Sequence, residues 1–159
     1  YTSETAQPTA HALGLPLTNF VALPAAGISK LQMEVLTNHQ NQRAAQVLLT
    51  DPQYAGKQVL MFWEHFRIAS AALEARYPGE QVTLRQLLKL DQPPFANQVP
   101  ATWPDGNYNF FWIVDFNPDG SIKAFNTIRQ AYQGRYANLP NNDWGTPEPL
   151  AADSPCRRN

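Results

Sequence analysis

Cysteine is nearly missing from this chain of 159 residues: Cys156 stands alone, so an internal disulfide is excluded, as is a zinc site built on paired cysteines or a neighbouring histidine. Charge is scarce as well. Charged residues make up 16%, against roughly 25% in an average soluble protein. With 43% hydrophobic and 11% aromatic residues, that balance excludes a disordered chain or a coiled coil. Twelve Lys and Arg against thirteen Asp and Glu leave a formal net charge of -1, so there is no global pull toward nucleic acid or an anionic membrane. The basic pair Arg157-Arg158 reads as a terminal tail. No apolar run approaches the ~20 residues of a membrane span, and the chain reads as soluble. Four lysines, fourteen prolines and many Asn and Gln lean toward a secreted or periplasmic location.

Cofactor motifs are missing too. No Gly-x-Gly-x-x-Gly, Walker or Gly-x-Ser-x-Gly element occurs, and no cofactor is expected. Asp105-Gly106-Asn107-Tyr108-Asn109 superficially suggests a calcium loop, but Phe110 and Phe116 stand where an EF-hand needs Gly and Glu. His11 and His39 sit in polar surroundings, and neither is spaced from His65 as a metal pair would be. No metal is expected.

What is present fits one domain over 1–159, since about 100–200 residues per domain is usual. Tyr1-Thr2-Ser3 reads as the end of a strand and Glu4 to Leu13 as a helix closed by Gly14. The chain thus opens in mid-structure, and Tyr1 is not expected to be the natural start of the folding unit. Phe20 to Leu23 is a short strand candidate between Pro16 and Pro24. Ile28, Leu31, Val35 and Leu36 recur at helical spacing behind a possible cap, Ser29. A second amphipathic stretch, Ala44 to Leu49, stops at Asp51-Pro52 because proline disfavours helix in the residue before it.

Val59-Leu60-Met61-Phe62-Trp63 is an unbroken apolar run and reads as a strand buried on both faces. Glu64-His65 ends it, and a helical pattern from Ile68 to Ala75 follows, terminated by Pro78-Gly79. Strand, polar turn and helix form the unit of a parallel α/β sheet. Thr83 caps a further helix bearing Leu84, Leu87, Leu88 and Leu90, before a proline-rich loop from Gln92 to Pro104. Tyr108 to Phe116 and Ile122 to Ile128, joined by Asn117-Pro118-Asp119-Gly120, read as a β-hairpin. Residues 136–159 look irregular. The tryptophans Trp63, Trp103, Trp112 and Trp144 read as core.

His65 is singled out by position, at the carboxyl end of the expected strand and the start of the next helix, where ligands bind in open α/β sheets. A histidine there can contact a phosphoryl oxygen, stabilise developing charge or shuttle a proton. Glu64 can orient it or share in proton transfer. The alternatives are a histidine that merely caps the helix, and for Arg67 a surface charge in the first helical turn.

The segment Val59-Leu60-Met61-Phe62-Trp63-Glu64-His65-Phe66-Arg67-Ile68 resembles the strand and second catalytic histidine of the histidine phosphatase (phosphoglycerate mutase-like) superfamily, in particular its Trp-Glu-His members. Tyr1-Thr2-Ser3, Thr9-Ala10 and Leu13-Gly14-Leu15-Pro16 resemble that family's early strand and helix. Trp103-Pro104 through Tyr108 to Trp112, and on to Gln130, resembles its late Tyr-Asp-x-Val-Trp strand. The resemblance covers about residues 1–135. It implies a three-layer α/β/α fold with a mostly parallel sheet, and hydrolysis of a small phosphorylated substrate through a phosphohistidine. His65 and Glu64 then take the catalytic roles, and His65, Arg67 and Ser3 the phosphate contacts.

The family's nucleophile lies in an Arg-His-Gly motif, and no Arg-His pair occurs in these residues. Thr5 stands where the family usually carries an arginine. Two expectations follow: the nucleophile lies on a segment outside this chain, with that segment or a second chain completing the sheet, or the domain is a degenerate, non-catalytic binder of phosphate or a partner. Substrate-pocket walls are expected from Gln92–Pro104 and Asn138–Leu150. Nucleic acid and membrane are not expected partners.

Overall fold

The computed structural model describes residues 2–105, 107 and 110–137. Among these, the elements run α1 (Thr2–Leu13), α2 (Lys30–Thr50), α3 (His65–Ile68), α4 (Ala71–Arg76), α5 (Leu84–Leu87), β1 (Phe110–Phe116) and β2 (Ile122–Arg129), with single 3-10 turns at Pro52–Tyr54 and Gly134–Tyr136. The expected tail beyond residue 137, with the second pocket wall and Trp144, lies outside the described residues.

The three-layer α/β/α architecture is not what the chain adopts. Among the described residues the five α-helices outnumber the strands, and the one sheet is the two-stranded antiparallel pair β1 and β2. The central parallel strand expected at Val59–Trp63 is an unpaired connecting segment, with Val59 42% and Leu60 54% exposed. An apolar run becomes a strand only where a neighbour supplies a hydrogen-bonding ladder, and no other described segment lies alongside it as a strand. Phe20 to Leu23 is likewise irregular, and Thr2-Ser3, read as a strand end, belongs to the first turn of α1.

Signals that act within a few residues hold. The helix before Gly14 forms, and Gly14 stops it with φ at +62°. Ser29 caps α2 in a reciprocal capping box, its Oγ accepting from the Gln32 amide while the Gln32 side chain accepts from the Ser29 amide. The two amphipathic stretches merge into this one 21-residue helix, which ends at Asp51 as the following proline requires. Thr83 caps α5 in the same reciprocal way with Gln86.

The hairpin forms in the expected place. Phe110 pairs with Arg129 at one end and Phe116 with Ile122 at the other, with an irregular register between Asp115 and Phe116. Gly120 takes φ of +82° in the connecting turn, a conformation a side chain would strain. Asp119 closes that turn by accepting from the Ser121 amide and hydroxyl, which holds its carboxyl below the ordinary range.

The main core joins Ala45 of α2, Leu84 and Leu88 around α5, Leu90, Val99 and Phe125 of β2. The inward residues of α2 are Asn38, Asn41, Ala44 and Ala45, while Leu31 and Leu36, expected on its apolar face, are exposed. Small side chains at 44 and 45 admit close packing. The asparagines bring hydrogen-bonding capacity into the interior, and their partners lie on both sides of His65.

Candidate functional site around His65

His65 opens α3, a single helical turn, with Glu64 in the N-cap position. The Glu64 side chain makes no capping hydrogen bond to that turn and is half-buried. Four residues on, Ala69 and then Ser70 leave helical geometry, and Ser70 caps α4 through a bond from the Leu73 amide. The helix expected from Ile68 onward is therefore broken in two, and the break gives the chain a free backbone carbonyl at Ala69.

That carbonyl accepts from the Trp103 amide at 3.0 Å, and Thr102 Oγ1 accepts from the Ala71 amide at 3.0 Å. The two bonds pin the end of the proline-rich loop against the junction of α3 and α4. Trp103 is buried, packs in a tilted arrangement with its ring centre 5.3 Å from that of Trp112, and donates its indole N–H to the Asn107 carbonyl at 2.9 Å. Trp112 in turn meets Phe125 edge-on at 5.3 Å. This aromatic chain from the hairpin anchors a turn closed by Asn107 N to Pro104 O, and the turn carries Asp105 to His65.

His65 Nε2 and Asp105 Oδ1 stand 2.8 Å apart. An ionised carboxylate only accepts, so Nε2 carries the proton and donates. Among the described residues Nδ1 of His65 has no hydrogen-bond partner, and the ring is 24% exposed. The arrangement is an oriented imidazole with one nitrogen held by a carboxylate and the other open, the geometry that lets a histidine accept, donate or relay a proton.

The other expected site residues are placed differently. Arg67 is not a surface charge: it is buried, and its Nη1 donates to Asn38 Oδ1 from inside the contact between α3 and α2. Ser3 lies on α1, and its hydroxyl donates to Asn19 Oδ1 at 2.7 Å. His11 and His39 are exposed. Asp105 was not expected at the site. It lies 40 residues from His65, and only the aromatic anchoring of its loop brings the two together.

Next to Arg67 lies a second polar group. Glu34 accepts two bonds from Arg76, at 2.8 and 2.7 Å, and one from the Tyr77 hydroxyl at 2.7 Å. Burial acts to raise the Glu34 carboxyl, but the bonds from Tyr77 and Arg76, with the charges of Arg76 and Arg67, outweigh it and leave the group below its ordinary 4.5. Tyr77 is raised because it donates to that carboxylate. A carboxyl lowered on folding contributes stability that is present above 4.5 and lost as pH falls through the folded value. Urea midpoints measured from about pH 7 to about pH 3 should therefore fall more steeply for the wild type than for Glu34→Gln. Identical slopes would show that Glu34 has no share in acid sensitivity.

Among the described residues no group of three or more His, Cys, Asp or Glu is arranged to hold a metal ion, and no helix is long and apolar enough to cross a membrane. No protein-family model matches the chain, and neither does any curated protein or any solved structure.

Proposed function

We infer that His65 and Asp105 form the phosphate-contacting, proton-transferring part of a phosphohydrolase site of the histidine phosphatase type, acting on a small phosphorylated substrate. The reading rests on the site and on the Trp63-Glu64-His65 resemblance, since a fold does not by itself carry a function. The observation that carries it is the 2.8 Å bond from His65 Nε2 to Asp105, with Nδ1 turned to no described partner. In this reading Nδ1 meets the phosphoryl group. Asp105 holds the ring in one orientation and stabilises the imidazolium when the ring is charged. With the ring charged, Nδ1 also carries a proton: as the phosphoryl group passes to a histidine nucleophile outside these residues and its bond to the leaving-group oxygen breaks, Nδ1 gives that proton to the departing oxygen.

A second reading is binding of phosphate without turnover, and one observation favours it: the residues contain no Arg-His pair to take the phosphoryl group. The test measures both functions on one protein, using inorganic phosphate for binding and p-nitrophenyl phosphate for hydrolysis. Asp105→Asn should lower kcat about tenfold, the loss of one charge-assisted hydrogen bond, while changing phosphate affinity by less than about threefold. Wild-type binding with no hydrolysis selects the second reading. Neither binding nor hydrolysis in the wild type sinks both.

A further inference from the structure

Asn41 is 1% exposed, in the middle of α2, and its side-chain amide spans the segment that carries His65. Its Oδ1 accepts from the indole Nε1 of Trp63, two residues before His65. Its Nδ2 donates to the backbone carbonyl of Arg67, two residues after His65, at 3.3 Å, and to the carbonyl of Val82 at 2.8 Å. One rigid side chain on the longest helix therefore grips both flanks of His65 and ties them to the start of α5. Most of a helical asparagine's bonding is local, but all three of these partners are more than 20 residues away in sequence. Val59 and Leu60, just before the gripped segment, are solvent-exposed and outside any ladder, so the approach to His65 has little else of regular structure to hold it.

We propose that Asn41 is the positioning residue of this site: its amide, bonded to Trp63 on one side and Arg67 on the other, fixes the backbone from which the His65 ring reaches Asp105. The proposal rests on the reading of His65 given above. No nearby group has the same reach. Asn38 spends its oxygen on the Arg67 guanidinium, and Gln42 donates to the Gln81 carbonyl at 3.0 Å, so each holds only one side.

The experiment records the ring nitrogen and carbon-bound proton signals of His65 in uniformly 15N-labelled protein, for wild type, Asn41→Ala and Trp63→Phe. Wild type should show the single tautomer protonated at Nε2. Asn41→Ala should show a ring averaged between tautomers, with its Asp105 bond lost. Where turnover is measured, kcat should fall about tenfold or more, with KM within about threefold, because misplacing a reacting group acts on the chemical step. Trp63→Phe removes only the bond on the N-terminal flank and should move the His65 signals in the same direction by less.

If Asn41→Ala keeps native near-ultraviolet circular dichroism and wild-type His65 signals, the proposal is overturned. If that variant does not fold, Trp63→Phe decides, and unshifted His65 signals there overturn it equally. The spectra need no ligand, so this failure is separate from a failure of the phosphate reading, which would appear as a wild-type protein that neither binds phosphate nor hydrolyses its ester.

Discussion

Replacement of Arg67 by alanine is expected to lower the free energy of unfolding by about 3 kcal/mol, because a buried charge-assisted hydrogen bond is lost along with the packing of its aliphatic stem. The guanidinium lies inside the contact between α3 and α2 and donates to Asn38. Asn38 is itself 1% exposed, and its amide nitrogen already has no partner among the described residues. Removing Arg67 would leave the oxygen unpaired as well, and a buried acceptor without a donor costs about 1–3 kcal/mol. The charge of Arg67 also helps hold Glu34 ionised, so the variant should be more acid-stable relative to its own neutral-pH value. Lysine does not replace it, since an ammonium point charge lacks the planar fork. Urea unfolding of Arg67→Ala and Arg67→Lys measures the effect. A loss below about 0.5 kcal/mol, the usual range for surface changes, would show that the buried contact does not form in solution.

The second large effect is on function. His65→Ala removes both ring nitrogens, so it should abolish the proton transfer assigned to the ring and lower any hydrolysis by about 10²- to 10⁴-fold, the usual contribution of a positioned acid or base. Phosphate affinity should fall about tenfold, corresponding to one lost charge-assisted bond. Asp105 is largely exposed and keeps its solvation when the partner is removed, so the variant should remain folded, with an unfolding midpoint close to the wild type's. Arg67→Ala and His65→Ala, two residues apart, thus separate cleanly. The first should damage stability, and the second should damage binding and catalysis with stability kept. The reverse pattern would place the working residue at Arg67.

Several elements were legible in the sequence because their causes are local. Ser29 and Thr83 each have a glutamine three residues on, Asp51 precedes a proline, and Asn117-Pro118-Asp119-Gly120 joins two β-rich runs, so each boundary is fixed by neighbours in the chain. The hairpin was legible, but the expected parallel sheet was a misreading. Val59 to Trp63 has the composition of a buried strand, yet ladder pairing depends on segments far away in sequence, and among the described residues none lines up with it. The interior face of α2 escaped for a related reason. Asn38-His39-Gln40-Asn41 reads as a solvated polar stretch, because apolar periodicity cannot reveal a helix face buried through amides.

At the site, His65 was legible as a polar residue closing an apolar run, but its partner was not. Asp105 sits in a stretch whose only visible pattern was an imperfect calcium loop. Its place beside His65 depends on Trp103 packing on Trp112 and on the Trp103 amide finding the Ala69 carbonyl. Arg67 has the right spacing for a surface charge or a phosphate ligand, and only its bonds with Asn38 and Asn41, distant in sequence, show that it is turned inward.

The central claim is that His65, alone among three histidines, meets phosphate. Titrating inorganic phosphate into 15N-labelled protein and following the three imidazoles tests it directly, since His11 and His39 are exposed and serve as internal references. The expected result is a saturable shift of the His65 ring signals that His65→Ala removes, with His11 and His39 unmoved. Equal movement of all three, or no movement of His65 at saturating phosphate, would contradict it.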